Sequence, residues 1–239
     1  KHLPLKILIC IPCIYGAEHT REAVNSVINK PNVDVLLIDN GSEKAVKDLL
    51  RTYYMEQNIF LTINPKNIFV NPAWQQGIDM FLYNTEYTHL IIMNSDLIMQ
   101  NDWVEVLKNR WAVNPNEICI PIMQQSKELP QQVDVNLQSA KEVREGTAGV
   151  FITLSRKQVE IINPLPSELK IWFGDNWIFE ILRGCGYKTV IPDNLISFHY
   201  WSQNVCRLQG ISELIEIDKL NWEIVKHKKQ AIIETNRIK

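Results

Sequence analysis

Thr88-His89-Leu90-Ile91-Ile92-Met93-Asn94-Ser95-Asp96 is the stretch from which the rest of the chain is read. Its apolar run is too short for a helix and is closed by a polar triplet, the pattern of a buried central strand in an α/β sheet. In open α/β sheets, ligands lie outside the carboxyl ends of the strands, and Asp96 falls there. A carboxylate at that place can hold a divalent cation against a diphosphate.

Working outward, strand and helix patterns alternate. Residues 5–11 form an apolar strand run followed by a helical pattern over 20–29. A second strand, 33–38, is stopped by Asp39-Asn40-Gly41-Ser42, and 43–54 is amphipathic, with Val46, Leu49, Leu50 and Tyr53 at helical spacing. Residues 59–63 read as a strand and 72–83 as a helix with Pro72 in its first turn. The His89 strand and a helix over 103–111 come next. This alternation predicts a largely parallel sheet with helices on both faces.

Residues 124–145 are polar and without period, which predicts an irregular excursion. Order returns with a strand over 146–154, a helix up to 162, and a break at Asn163-Pro164-Leu165-Pro166. A helix over 176–183 is closed by Gly184 or Gly186, a strand follows at 188–191, and a charged amphipathic helix spans 211–233. The expected organisation is one domain over 1–205 with a helical extension, 206–239, packed on it. The sequence contains no internal repeat and no low-complexity tract.

A 239-residue chain with 46% hydrophobic residues can bury a sizeable core. Its net charge of -2 gives no support to an electrostatic nucleic-acid binder. No apolar run reaches the ~18 residues of a membrane span, and no cationic leader precedes an apolar segment. Five widely spread cysteines, an odd number, fit reduced thiols and a cytoplasmic location. Cys10-Ile11-Pro12-Cys13 has the spacing of a redox pair, but such a pair opens a helix, and here the helical pattern starts only near Thr20. The two are read as strand-end core thiols.

Several polar residues carry two readings each. The loop Pro12-Cys13-Ile14-Tyr15-Gly16 holds one glycine, where a dinucleotide fold needs three. Asp39, at a strand end, suits a hydrogen bond to a base or ribose, or an ordinary Asp-Asn-Gly turn. Asp175 precedes Asn176-Trp177-Ile178-Phe179 and suits a helix cap as well as an exposed carboxylate with a chemical role. His199, within Ser197-Phe198-His199-Tyr200-Trp201, is either packed or a ligand. Trp172, Trp177 and Trp201 are either packing residues or platforms on which the apolar face of a sugar stacks.

Taken together, the chain resembles the family-2-like glycosyltransferases of the GT-A fold. The matching segments are Ile9-Cys10-Ile11-Pro12-Cys13-Ile14-Tyr15, Val35-Leu36-Leu37-Ile38-Asp39-Asn40-Gly41-Ser42, and Asn64-Pro65-Lys66-Asn67-Ile68-Phe69 through Gly77. Asn94-Ser95-Asp96 stands where that family carries Asp-x-Asp. Gly146-Thr147-Ala148-Gly149-Val150-Phe151-Ile152 resembles its small-residue acceptor-side strand, and Phe173-Gly174-Asp175-Asn176-Trp177 its catalytic segment.

The resemblance implies a single α/β domain, a mixed sheet flanked by helices. It also implies transfer of a sugar from a UDP- or GDP-linked donor to a hydroxyl of a glycan or glycoconjugate, with Mn²⁺ or Mg²⁺ as cofactor. Pro12, Tyr15, Asp39, Asn67, Asn94 and Ser95 would bind the nucleotide sugar, with Asp39 facing the base. Asp96 would bind the metal and His199 complete its site. Asp175 would be the general base of an inverting displacement, with Trp172 and Trp177 on the acceptor side. Two departures stand out: Asn94 replaces the usual first Asp, and Asn67-Ile68-Phe69-Val70-Asn71 lacks the usual Gly-Phe-Ala pattern. The first leaves room for a catalytically silent domain that only binds glycan or nucleotide. A transferase acting on modified nucleic acid is the other alternative.

Overall fold

The computed structural model describes residues 4–100, 102–128, 133–145, 149–201 and 207–238. Its central sheet is built from β1 (Ile7–Cys13), β2 (Val33–Asn40), β3 (Ile59–Asn64), β4 (His89–Met93) and a later strand, β9 (Phe151–Ser155). The order is β3-β2-β1-β4-β9, with the first four parallel and β9 antiparallel to β4. Along β1, side chains alternate between two cores: Ile7, Ile9, Ile11 and Cys13 face one, Leu8 and Cys10 the other. Burial on both faces is why these strands read as continuous apolar runs.

Helices α1 (Ala17–Asn25), α2 (Lys44–Tyr53) and α4 (Trp103–Val113) cover the first face, and α3 (Val70–Tyr83), α5 (Arg156–Ile162) and α6 (Gly174–Gly184) the second. Helix α1 starts three residues earlier than its periodicity predicts, because Gly16 takes a left-handed φ of 75° and its N–H donates to the Glu43 carboxylate at 2.8 Å. Cys10 and Cys13 lie on opposite faces of β1 and are free and buried, which places them in the two cores as expected. Burial pushes the Cys10 thiol up to about 12, the reverse of a reactive cysteine.

Two small sheets complete the domain. One joins β6 (Ile118–Cys119), β10 (Thr189–Pro192) and β8 (Ala140–Val143); the other joins β5 (Leu97–Met99), β11 (Ile196–His199) and β7 (Ile122–Gln124). Strand β8 falls inside the excursion expected to be irregular. Ala140-Lys141-Glu142-Val143 has no apolar alternation and becomes a strand only through antiparallel pairing with β10. The strand expected over 146–154 is confined to β9; Gly146, Thr147 and Ala148 lie outside the described residues. So does the expected domain boundary at 205/206. The C-terminal helix is two helices, α7 (Ile211–Val225) and α8 (Lys228–Asn236). Both pack on the domain: Asp218 of α7 is buried, and Ile233 of α8 fills the space above Gly184. Among the described residues, no helix is long and apolar enough to cross a membrane.

Candidate active site

A cavity of about 310 Å³ opens at the carboxyl ends of β1, β2 and β4, the place that strand direction alone predicts. It brings together Pro12, Asn67, Asn94, Ser95, Asp96, Trp172, Asp175 and His199. These expected site residues come from five separate stretches of the chain.

Asp96 and His199 meet at the cavity floor, with His199 Nε2 3.1 Å from Asp96 Oδ1 and both side chains buried. The contact is made by β11 pairing antiparallel with β5, which sets His199 opposite Leu97, while the Tyr200 N–H donates to the Asp96 carbonyl at 3.0 Å. Among the described residues the ring's buried Nδ1 has no hydrogen-bond partner. An imidazole so placed against a carboxylate is under-satisfied by protein alone. A carboxylate oxygen beside an imidazole would suit Mn²⁺, and Mg²⁺ less well because it prefers oxygen ligands. Among the described residues no third Asp, Glu, His or Cys joins the pair. The remaining positions would fall to donor oxygens and water, so the residues present fit the metal.

Asp175 sits in the first turn of α6. Its Oδ2 accepts the Gly149 N–H at 3.1 Å and its Oδ1 the Asn176 N–H at 2.9 Å. Burial raises its pKa, and the two N–H donors oppose that shift without cancelling it. The result is a carboxylate more basic than an ordinary one, at the wall of a cavity. Of its two readings from sequence, the cap is not realised, since Phe173 is the N-cap and Asp175 is the second residue of the helix, while its place in the cavity lining is.

Another part of the lining is organised by Asn40, which sequence reasoning left inside a turn. Its Nδ2 donates to Asn67 Oδ1 and to the Phe69 carbonyl, both at 3.2 Å, and its Oδ1 accepts the Ile68 N–H at 3.1 Å. The Phe69 N–H in turn donates to Asn67 Oδ1 at 2.7 Å. These bonds hold Phe69 at φ 70°, ψ 172°, a conformation that a non-glycine residue keeps only when its surroundings over-determine it. Asn40 and Asn67 together hold a phenylalanine in that conformation. Gly41 completes the fit: at φ 66°, any Cβ there would lie 2.4 Å from the Asn67 nitrogen.

Three expected site residues are not brought into the cavity lining. Trp177 faces inward from α6, is 3% exposed, and donates its indole N–H to the Ile162 carbonyl at 3.1 Å. It is a core residue and not an acceptor platform, because helical geometry turns it away from Asp175 two positions earlier. Asp39 is buried and accepts the Ser42 N–H at 2.8 Å, the turn interaction, while the neighbouring Asn40 lines the cavity. Tyr15 lies outside the lining as well. In compensation the cavity takes up Trp74, Phe69 and Trp201, of which Trp201 is 54% exposed at the mouth. Among the described residues no Lys or Arg lines it.

The family model described as Glycosyl transferase family 2 matches residues 8–153, more than half of the chain. The chain belongs to this family. A search of the curated proteins finds no match to the sequence. Solved structures of similar fold include GalNAc-T7 with UDP, GalNAc and Mn²⁺, at TM-score 0.65 and 17% identity, covering 82% of this chain and 44% of that one. They include residues 1–349 of TarS from S. aureus, at TM-score 0.62 and 12% identity, covering 96% and 69%. A third is the mannosyltransferase PcManGT from Pyrobaculum calidifontis with GDP-Man and Mn²⁺, at TM-score 0.62 and 12% identity, covering 83% and 58%. This family-2 chain thus spans less than half the length of GalNAc-T7. At these identities the likeness establishes the GT-A fold, as the family resemblance implied.

Proposed function

We propose that the chain is a metal-dependent, inverting glycosyltransferase that moves a sugar from a UDP- or GDP-linked donor to a hydroxyl of a glycan or glycoconjugate. The observation that carries this reading is the buried Asp96–His199 pair and the basic carboxylate of Asp175 lining one cavity. Since no Lys or Arg among the described residues lines that cavity, the charge of a diphosphate there needs a cation. Asp96 and His199 would hold Mn²⁺ or Mg²⁺, which when bound offsets the charge on the departing diphosphate. The complexes of GalNAc-T7 and PcManGT with nucleotides and Mn²⁺ support the same assignment.

Pro12 and Asn40 flank the nucleotide end, and Asn67 and Asn94 the diphosphate and sugar. On the other wall, Trp172 offers a face to the acceptor. Asp175 takes the proton from the acceptor hydroxyl as its oxygen bonds to the anomeric carbon. The bond to the diphosphate oxygen breaks, and its electron pair leaves with the nucleotide. One displacement inverts the anomeric configuration, giving a β-linked product from an α-linked donor. We place this activity in the cytoplasm, in keeping with the four cysteines among the described residues, which are buried and unpaired.

The test is a thermal-shift screen of UDP, GDP and NAD with and without Mn²⁺, followed by hydrolysis and transfer assays over a panel of nucleotide sugars. A Mn²⁺-dependent shift with UDP or GDP and slow donor hydrolysis are expected. No shift with any nucleoside diphosphate would overturn the reading. Tight nucleotide binding without turnover would reduce the chain to the silent domain that Asn94 allows. A product retaining the donor configuration would remove Asp175 from its role.

A further inference from the structure

We propose that helix α7 is a structural part of the acceptor side of this site, with Asp218 a positioning residue for the loop that carries Trp172 into the cavity and leads to Asp175. The inference rests on the transferase reading above and extends it to the C-terminal helix. Asp218 is fully buried in the middle of α7. Its Oδ1 accepts the N–H of Lys170 at 2.9 Å, and its Oδ2 those of Ile171 at 2.7 Å and Trp172 at 2.8 Å. Three consecutive amides of a segment that is neither helix nor strand therefore converge on one carboxylate. Each would otherwise be a part-buried donor lacking this partner.

The other side of the same segment is held by Asn71, at the start of α3. Its backbone N–H donates to the Lys170 carbonyl at 3.0 Å and its Nδ2 to the Trp172 carbonyl at 3.1 Å. Two further contacts come from α7: Asn221 Nδ2 donates to the Glu168 carbonyl at 2.8 Å, and Trp222 stacks on Phe173 with ring centroids 5.2 Å apart. Phe173 has φ 64° and immediately precedes α6. The segment is thus gripped between α3 and α7, and what it presents to the cavity is Ile171 and Trp172. Asp175 lies three residues beyond the last gripped amide. A free loop would sample many positions for Trp172, and fixing it in advance removes that entropy from the binding of an acceptor.

The variant to make is Asp218→Asn, whose amide keeps the size but can accept at one atom only. Amide exchange at Lys170, Ile171 and Trp172 is expected to accelerate at least tenfold. With acceptor present, turnover is expected to fall at least ~10-fold and the acceptor KM to rise, the loss that follows from a small misplacement of reacting groups. Nucleoside diphosphate Kd is expected to stay within twofold. Val225→Ala, a cavity in the buried last turn of α7 at a residue that makes no hydrogen bond to the loop, controls for loss of helix stability and is expected to keep turnover and acceptor KM. Unchanged acceptor kinetics in Asp218→Asn, or an equal loss in Val225→Ala at matched melting temperature, would overturn the proposal. If the wild-type chain transfers no sugar, the transferase reading fails, and exchange at 170–172 still decides whether Asp218 orders the loop. Should Asp218→Asn not fold, Asn221→Ala replaces it, with the same signs and smaller effects.

Discussion

Replacing Gly149 with alanine tests the position of Asp175 by moving it. A methyl group at residue 149 would lie 2.7 Å from Asp175 Cβ and 3.0 Å from Trp74 Cη2. Carbon atoms in contact settle at ~3.5–4.0 Å, so about 1 Å must be found. Trp74 is buried in the core and cannot give way cheaply, and the Gly149 N–H is itself a hydrogen-bond donor to the carboxylate. The displacement therefore falls on Asp175. Overpacking of this kind costs ~1–3 kcal/mol, and in a chain of this size that lowers the melting temperature by roughly 2–4 °C per kcal/mol. A shift of ~1 Å at a reacting group can cost ~10²-fold in rate. Turnover with saturating acceptor, measured well below the melting transition, is expected to fall by about that factor. Nucleoside diphosphate affinity, measured by titration calorimetry with Mn²⁺, should hold within twofold, since the atoms nearest the added methyl belong to Asp175 and Trp74 and not to Pro12 or Asn40. Near-normal turnover in a variant with the expected loss of stability would refute the reasoning: either the wall yields elsewhere, or Asp175 is not the base.

Asp175→Asn should lower turnover by at least ~10²-fold with nucleotide affinity retained. In the wild type, turnover should fall as pH drops through the raised pKa of Asp175, because only the ionised carboxylate accepts the proton; a rate flat across the acid range would count against it. Asp96→Ala should remove the Mn²⁺ dependence of UDP or GDP binding, and a chelator should do the same to the wild type, both read as the loss of a metal-dependent melting shift. His89, stacked on Trp111 at 3.9 Å, is pushed down from 6.5 to about 4 by burial. Its neutral form therefore contributes stability that is complete above pH 6.5 and is lost as pH falls toward 4, ~3 kcal/mol in all. His89→Phe should flatten that part of the melting curve against pH. Arg156 donates to the carbonyls of Tyr87, Asn84 and Phe81, and Arg156→Ala should cost ~2–3 kcal/mol in urea unfolding without altering nucleotide affinity.

The central strands and their helices were legible because each is decided within a short window. The run from His89 to Met93 is a strand in both the sequence reading and the structure, since four apolar residues before a polar triplet leave few alternatives. Asp96 falls at the carboxyl end of that strand for the same local reason. The six family-like segments likewise carried the likeness to family 2 through their residues and order. The short strands β5 and β8 were not legible, because three or four residues form a strand only when a distant partner supplies hydrogen bonds. For that reason the sequence left His199 open between packing and ligation: it meets Asp96 from 103 positions away. Helical direction decided Trp177, whose spacing from Asp175 no composition argument could translate into an inward turn. Asp218 is the clearest case. A carboxylate falls on the inward face of an amphipathic helix, with Ile211, Trp222 and Val225, and that much is a local signal. Which three amides it holds, 46 to 48 residues away, is a contact between segments. Local sequence determined the elements and the strand end where chemistry would gather; tertiary packing decided which polar groups meet there, because their energies depend on partners that lie far away along the chain.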